Sequence, residues 1–156
     1  MPLEVGQKAP DFSLVDAYRK QRTLGEFLGK KTVLVFYPAA FTGVCTKEMC
    51  SFRDSLAAFN ELGAQVVGIS VDSPFANKAF ADQNQIKFPL LSDFTRYVSS
   101  QYTGLMLGLS GINGYVTAKR SVFVLDAEGV VRYAWISDNP GMEPNYEEVR
   151  NAIASF

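Results

Sequence analysis

The stretch FYPAAFTGVCTKEMC, residues 36–50, joins a strand pattern to a helix pattern and places a cysteine at the start of the helix. Residues 32–37, TVLVFY, are mostly β-branched or aromatic and predict a buried strand. A helical pattern follows over about residues 44–62. Its first turn contains Cys45, and Cys50 follows five residues later. These are the only two cysteines of a chain that has no histidine, so thiol chemistry here must proceed without an imidazole.

Strand and helix patterns alternate along the rest of the chain. Further strands are predicted at residues 65–71, 88–93, 121–126 and 130–136, and further helices at about residues 74–83, at 94–101 and from Asn145. Residues 11–24 predict an added N-terminal hairpin, and the glycine-rich residues 104–114 predict a loop. We therefore expect an α/β sheet with helices on both faces, in a single domain over residues 1–156.

Composition excludes several classes of function. The chain has 156 residues, 47% of them hydrophobic, and a net charge of −1 without a basic run, which argues against a nucleic-acid partner. It contains no apolar run near the roughly 18–20 residues that would span a membrane. Its N-terminal residues also lack the pattern of a signal peptide. We therefore expect a cytoplasmic protein, in which a cysteine pair is more often redox-active than structural.

The two cysteines occupy different sides of the predicted helix. Cys45 begins an apolar stripe that continues through Met49, Phe52, Leu56 and Phe59. Cys50 lies about 140° around the axis from Cys45, away from that stripe. Cys45 can be either a small buried hydrophobic residue or a reactive thiol, and Cys50 either a tolerated flank residue or its redox partner. Two thiols without histidine fall short of a structural zinc site, so we expect no metal.

Three features favour a reactive Cys45. The first turn of a helix offers unpaired N–H groups and a positive dipole end, and both stabilise a thiolate. Thr42 stands at the N-cap position, where its hydroxyl can either cap the helix or face the sulfur. Pro38 restricts the preceding loop.

Without histidine the papain type of cysteine catalysis is excluded, and four residues between the cysteines do not fit the thioredoxin Cys-x-x-Cys pattern. A peroxide, which brings its own leaving group, remains a suitable electrophile.

The segment PAAFTGVCTKE, residues 38–48, resembles the peroxiredoxin pattern Pro-x-x-x-Thr-x-x-Cys at Pro38, Thr42 and Cys45. Four further stretches are similar to that family in the expected order: VGQKAPDFSL, VVGISVDSP, FPLLSD and KRSVFVLDAEGVVRY. The resemblance implies a thioredoxin-like fold with a central mixed sheet, and a thiol-dependent peroxidase without a cofactor.

The resemblance also implies roles for individual residues. Cys45 would be the peroxidatic cysteine, Arg120 would hold the thiolate and the peroxide, and Thr42 would bind the peroxide. Pro38 would shield the site from water. Glu48 would support the site by orienting an arginine. Besides Arg120, the arginines that could be its partner are Arg53, Arg96 and Arg132.

The Cys45–Cys50 spacing resembles the bacterioferritin comigratory proteins, in which a resolving cysteine lies in the same helix. The segment AAFTGVC is also similar to single-cysteine relatives, so the role of Cys50 stays open. The resemblance implies hydrogen peroxide or an organic hydroperoxide as substrate, and thioredoxin, glutaredoxin or a similar dithiol as reductant. It leaves a homodimer open. An alternative function is a redox sensor or holdase in which oxidation of Cys45 controls partner binding.

Overall fold

A seven-stranded mixed β-sheet forms the centre of the computed structural model, which describes residues 2–156. Its strands are β1 (Ser13–Asp16), β2 (Gln21–Thr23), β3 (Lys31–Phe36), β4 (Ala64–Ser70), β5 (Leu90–Ser92), β8 (Arg120–Leu125) and β9 (Val131–Ser137). They are arranged in the order β2-β1-β5-β4-β3-β8-β9. Strands β3, β4 and β5 are parallel to one another, and the other neighbouring pairs are antiparallel. The strands β6 (Leu105–Leu107) and β7 (Val116–Ala118) form a separate antiparallel pair.

Helices cover both faces of the sheet. They are α1 (Leu24–Phe27), α2 (Gly43–Glu61), α3 (Pro74–Asn84), α4 (Tyr97–Tyr102) and α5 (Tyr146–Ala154). Successive side chains of β3 point to opposite faces, because a strand alternates with period two. Val33 and Val35 therefore pack with α2, α3 and α5, whereas Leu34 and Phe36 pack with α1 and α4. The sheet is buried on both faces, which explains the continuous apolar run of this strand.

The long helix α2 packs closely on β4 at Gly68. A Cβ atom at this position would lie 2.8 Å from the Met49 Cε and 2.7 Å from the Leu90 Cδ2. A side chain here would force the ends of the Met49 and Leu90 side chains to move, so glycine permits the observed approach of α2 to the sheet without displacing them. Cys45 and Met49 of α2 are both fully buried in the core on this face of the sheet.

The predicted fold class is confirmed: the chain has an α/β thioredoxin-like fold with a mixed sheet and an N-terminal hairpin. The prediction of a loop at residues 104–114 was wrong in part, because Leu105–Leu107 forms β6 and pairs with Val116–Ala118. Helix α4 begins three residues later than predicted, since Arg96 before it has a left-handed backbone with φ of 68°. The first residue of the predicted domain lies outside the described residues. Within residues 2–156 no helix is long and apolar enough to span a membrane.

Candidate active site

The candidate site lies at the carboxyl ends of the neighbouring parallel strands β3 and β4. Phe36 at the end of β3 pairs in register with Ile69 of β4, and the Tyr37 N–H donates to the Ile69 carbonyl at 3.0 Å. Because parallel strands end at the same edge of a sheet, the segments that follow them are brought together. One of these segments is the loop of residues 38–42, which leads into α2.

Thr42 is the N-cap residue of α2, but its hydroxyl does not cap the helix. The hydroxyl donates to the Ala39 carbonyl at 2.8 Å, and the Thr42 carbonyl accepts from the Thr46 N–H at 2.9 Å. The sequence allowed this hydroxyl either to cap the helix or to face the sulfur. In the structure it does not cap the helix, and its proton is donated to the Ala39 carbonyl. Phe41 in the same loop has a left-handed backbone with φ of 69°, which marks a sharply turned loop.

Cys45 is the third residue of α2 and is fully buried. Its Sγ lies 3.1 Å from the Nη2 of Arg120, the first residue of β8. The guanidinium and the sulfur are therefore in direct contact, and a charge-assisted hydrogen bond of this kind is stronger when its acceptor is an anion. Cys45 thus combines a helix N-terminus with a buried cationic partner.

Arg120 is only 1% exposed, and three hydrogen bonds to two groups hold its guanidinium. Its Nη1 donates to the Glu48 Oε1 at 2.8 Å, and its Nε and Nη2 donate to the Pro140 carbonyl at 3.2 and 2.7 Å. These contacts aim the guanidinium at the sulfur of Cys45. Sequence reasoning missed Pro140, and a backbone carbonyl gives no signal in the sequence that could have identified it.

Glu48 is fully buried and faces Arg120. Burial, with a smaller contribution from the nearby Glu143 carboxylate, raises the pKa of Glu48 to about 7 against the opposing effect of the Arg120 charge. Within the described chain the Oε2 of Glu48 has no hydrogen-bond partner. The other candidate partners lie elsewhere: Arg53 pairs with Asp54, Arg96 donates to the Val116 carbonyl, and Arg132 pairs with Asp126.

A cleft of about 230 Å³ opens onto these residues. Its lining consists of Pro38, Thr42, Gly43, Val44, Cys45, Leu109, Ser110, Arg120, Pro140 and Gly141. The structure therefore brings four of the predicted site residues to one cleft, with Glu48 behind Arg120. Leu109 and Ser110 come from the segment that was predicted to be a loop. A larger cavity of about 360 Å³ lies between the N-terminal hairpin and α3, and its lining contains neither cysteine.

Cys50 lies outside this cleft. It is half-buried on α2, and its Sγ lies 3.8 Å from the Asn84 Oδ1 at the end of α3. Both cysteines are free thiols in this structure. The structure describes a reduced form in which the two thiols face different neighbours.

A profile of the AhpC/TSA family matches residues 5–134. The chain belongs to the AhpC/TSA family. It is therefore a peroxiredoxin, a thiol-dependent peroxidase, as the sequence predicted. The cleft that contains Cys45 and Arg120 is accordingly its candidate peroxidase site.

Individual relatives agree with this assignment. The chain is 40% identical over 136 residues to "Putative peroxiredoxin bcp" of Coxiella burnetii, a match that covers 86% of this chain and 89% of that protein. It is 42% identical over 127 residues to "Peroxiredoxin Q, chloroplastic" of Populus jackii, covering 81% of this chain and 57% of that protein. The solved structure of peroxidoxin BcpB from Mycobacterium tuberculosis superposes with a TM-score of 0.84 at 35% identity, covering 97% of this chain and 96% of that one.

Proposed function

We propose that Cys45 is the peroxidatic cysteine of this peroxidase. The observation that carries the proposal is the 3.1 Å contact between its buried Sγ and the Arg120 Nη2, at the N-terminus of a helix and beside an open cleft. The Cys45 thiolate attacks one peroxide oxygen, so that an S–O bond forms while the O–O bond breaks. The other oxygen leaves as hydroxide or alkoxide and takes up a proton. Cys45 becomes a sulfenic acid, and the peroxide becomes water or an alcohol.

Arg120 has two roles in this proposal. In the resting site its Nη2 stabilises the thiolate, and during attack the same charge stabilises the negative oxygen that develops as the O–O bond breaks. Glu48 and the Pro140 carbonyl hold the guanidinium in position before the peroxide arrives. This arrangement needs no histidine. Arg120 and the helix N–H groups stabilise the anionic sulfur, so no imidazole base is needed to activate it. Pro38 lines the cleft and limits the access of water to the sulfur.

Thr42 binds the peroxide as a hydrogen-bond acceptor. Its single hydroxyl proton is already donated to the Ala39 carbonyl, so its remaining capacity is to accept. A hydroperoxide carries an O–H that can donate to this oxygen while its other oxygen faces Arg120. Thr42 and Arg120 would then bind the substrate from two sides and direct one peroxide oxygen at the sulfur.

Cys50 is proposed to resolve the sulfenic acid. Its thiolate attacks the Cys45 sulfur, the S–S bond forms as the S–O bond breaks, and the hydroxide that leaves takes up a proton to become water. On an intact helix, residues five apart have Cα atoms roughly 8–9 Å from each other. A disulfide needs Cα atoms within about 7 Å, so the first turns of α2 must open before the bond forms. The opening exposes Met49 and Phe52, which are fully buried, so we expect disulfide formation to be slower than the attack on peroxide.

A small dithiol protein such as thioredoxin or glutaredoxin is the proposed reductant, because an intramolecular disulfide is reduced by dithiol exchange. Hydrogen peroxide and organic hydroperoxides are the proposed substrates. A cytoplasmic location and the homodimer that the resemblance leaves open stay predictions.

Steady-state turnover with several reductants tests the proposed function. The wild type, Cys45→Ser and Cys50→Ser are assayed with hydrogen peroxide and cumene hydroperoxide, with thioredoxin, glutaredoxin or dithiothreitol as donor. We expect repeated turnover by the wild type, none by Cys45→Ser, and loss of thioredoxin-driven turnover by Cys50→Ser. Oxidation of one equivalent without turnover under every donor would instead support the redox sensor. Full activity of Cys50→Ser with thioredoxin would remove the resolving role.

A further inference from the structure

Asp72 lies in the second segment at the carboxyl edge of the sheet, two residues after β4 ends. Its Oδ2 accepts hydrogen bonds from the Ala40 N–H at 2.8 Å and from the Ser70 hydroxyl at 2.8 Å. Ala40 belongs to the loop of residues 38–42 that precedes the helix carrying Cys45. The carboxylate of one segment therefore binds the backbone of the other.

A buried polar network holds this carboxylate from behind. Ser70, Asn77 and Tyr37 are each fully buried. The Tyr37 hydroxyl donates to the Asn77 Oδ1 at 2.8 Å, and the Asn77 Nδ2 donates to the Ser70 hydroxyl at 3.1 Å. Burial raises the pKa of Tyr37, which keeps its proton on the hydroxyl and preserves the direction of the network. A satisfied buried network of this kind holds its members in one arrangement.

Capping of α3 does not account for Asp72. The N-cap of that helix is Ser73, whose hydroxyl accepts from the Ala76 N–H at 3.1 Å. Asp72 instead directs its carboxylate away from the helix that it precedes, to the loop after the neighbouring strand. The orientation of the Asp72 carboxylate is explained by its hydrogen bond to the Ala40 N–H in the loop of residues 38–42.

The bond to Ala40 orients a single peptide unit. A trans peptide is planar, so its N–H and its C=O point in opposite directions. The unit between Ala39 and Ala40 is bound at both ends: Asp72 accepts its N–H, and the Thr42 hydroxyl donates to its C=O at 2.8 Å. The direction of the Ala40 N–H therefore sets the direction in which the Thr42 proton must point.

We infer that Asp72 is a positioning residue for the peroxide reaction, acting through the Ala39–Ala40 peptide on the hydroxyl of Thr42. By fixing that peptide, Asp72 keeps the Thr42 proton on the Ala39 carbonyl and leaves the lone pairs of the hydroxyl to accept from the peroxide. The inference rests on the proposed peroxide-binding role of Thr42. It adds to the site a residue of the segment between β4 and α3, which lies outside the active-site motif.

The test compares two reactions of the same sulfur in a Cys50→Ser background. One is the second-order rate constant with hydrogen peroxide, and the other is alkylation by iodoacetamide, which needs the thiolate but no peroxide contact. In Asp72→Ala we expect the peroxide rate constant to fall about tenfold, the order of one charge-assisted hydrogen bond, while alkylation changes less than about twofold. Asp72→Asn retains an acceptor oxygen and should restore most of the peroxide rate. Asp82→Ala, an exposed aspartate of α3, is the matched control.

A double-mutant cycle with Thr42→Val separates this inference from the proposed function. If Asp72 acts through the Thr42 hydroxyl, Asp72→Ala should have almost no further effect on the peroxide rate in Thr42→Val. Additive losses, an equal loss of alkylation, or Asp72→Asn as slow as Asp72→Ala would each overturn the inference. Thr42→Val at the wild-type rate would instead refute the proposed role of Thr42. If Asp72→Ala does not fold by circular dichroism, Asp72→Leu, close to aspartate in size and without an acceptor, replaces it in the cycle.

Discussion

The two cysteines of α2 are five residues apart on one helix and lie in contrasting surroundings. Cys45 is fully buried in the first turn, beside the guanidinium of Arg120 and an open cleft. Cys50 is half-buried in the middle of the helix, and its neighbour is the neutral side-chain amide of Asn84. The sulfur of Cys45 is therefore in direct contact with a guanidinium at a helix N-terminus, whereas the sulfur of Cys50 contacts a neutral amide in the middle of the helix and the nearby Arg53 donates to the Asn84 carbonyl instead.

This contrast indicates a division of labour. A thiol that must attack peroxide needs its anion stabilised before the substrate arrives. A thiol that must attack a sulfenic acid on the same chain needs mainly access, since the intramolecular reaction already supplies proximity. The following predictions separate the two environments, beginning with the largest expected effect.

Replacing each cysteine with serine should give the largest difference in peroxide rate constant between the two positions. In Cys45→Ser we expect the rate constant for peroxide to fall by on the order of 1,000-fold or more, because a serine hydroxyl is not ionised at neutral pH. Cys50→Ser should leave this first reaction within about twofold of the wild type, since Cys50 lies outside the cleft. Rapid mixing with peroxide followed by mass spectrometry measures both. Comparable loss in the two variants would contradict the division of labour.

Removing Arg120 should take from Cys45 the direct guanidinium contact that Cys50 lacks. We expect Arg120→Met to lower the peroxide rate constant about 100- to 1,000-fold, the range for loss of one preorganised donor at a developing oxyanion. Lys119→Met is the matched control, because the neighbouring lysine pairs with Asp138 at 2.7 Å instead of with the sulfur. Its rate should stay close to the wild type. An Arg120→Met enzyme with an unchanged rate would show that another group stabilises the thiolate.

Formation of a Cys45–Cys50 disulfide should abolish the difference in burial between the two positions. Closing the bond requires the first turns of α2 to open, which removes Met49 and Phe52 from the core that they share with the sheet. We expect amides of residues 46–52 to lose hydrogen-exchange protection on oxidation of the wild type. Treatment of Cys45→Ser with one equivalent of peroxide provides the control and should change nothing. Full protection in a disulfide form verified by mass would mean that α2 does not open.

The last prediction concerns the carboxyl group behind Arg120. Burial raises the pKa of Glu48 from 4.5 to about 7, so between these values the folded chain holds a proton that the unfolded chain has lost. This contribution to stability is present below pH 4.5 and is lost as the pH rises through about 7. Urea unfolding between pH 4.5 and 7.5 should therefore show this decline in the wild type and a smaller one in Glu48→Gln. Glu61→Gln, an exposed control, should follow the wild type. Equal slopes in all three would contradict the assignment.

The sequence predicted the core strands well because their residues are apolar on both faces of the sheet. Residues 32–37 are such a run, and the structure forms β3 there. The pair β6–β7 was missed, since Leu105–Leu107 has a single short partner strand and lies within a glycine-rich segment without a clear period. The start of α4 was also misplaced, because the left-handed backbone of Arg96 is set by its surroundings. The single-domain organisation stays a prediction.

The residues of the candidate site also fall into two groups: those that the local sequence identified and those that it did not. Cys45, Thr42 and Pro38 are recognisable because they lie within one short motif at the start of a helix. Arg120 was identified only through the resemblance to peroxiredoxins, and three other arginines were also candidate partners of Glu48. Pro140 was not predicted at all: its carbonyl is common to every residue type.

The sequence alone determined that this chain offers a thiol at a helix N-terminus and has no histidine to assist it, because both facts depend on residue type and local spacing. Which cation reaches the thiol was decided by the tertiary structure. The pairing of β3 with β8 brings Arg120 to Cys45 across 75 positions of sequence. The parallel pairing of β3 with β4 brings Asp72 to the Ala40 N–H. Both contacts exist because strand pairing and burial are long-range interactions, which no local pattern of residues encodes.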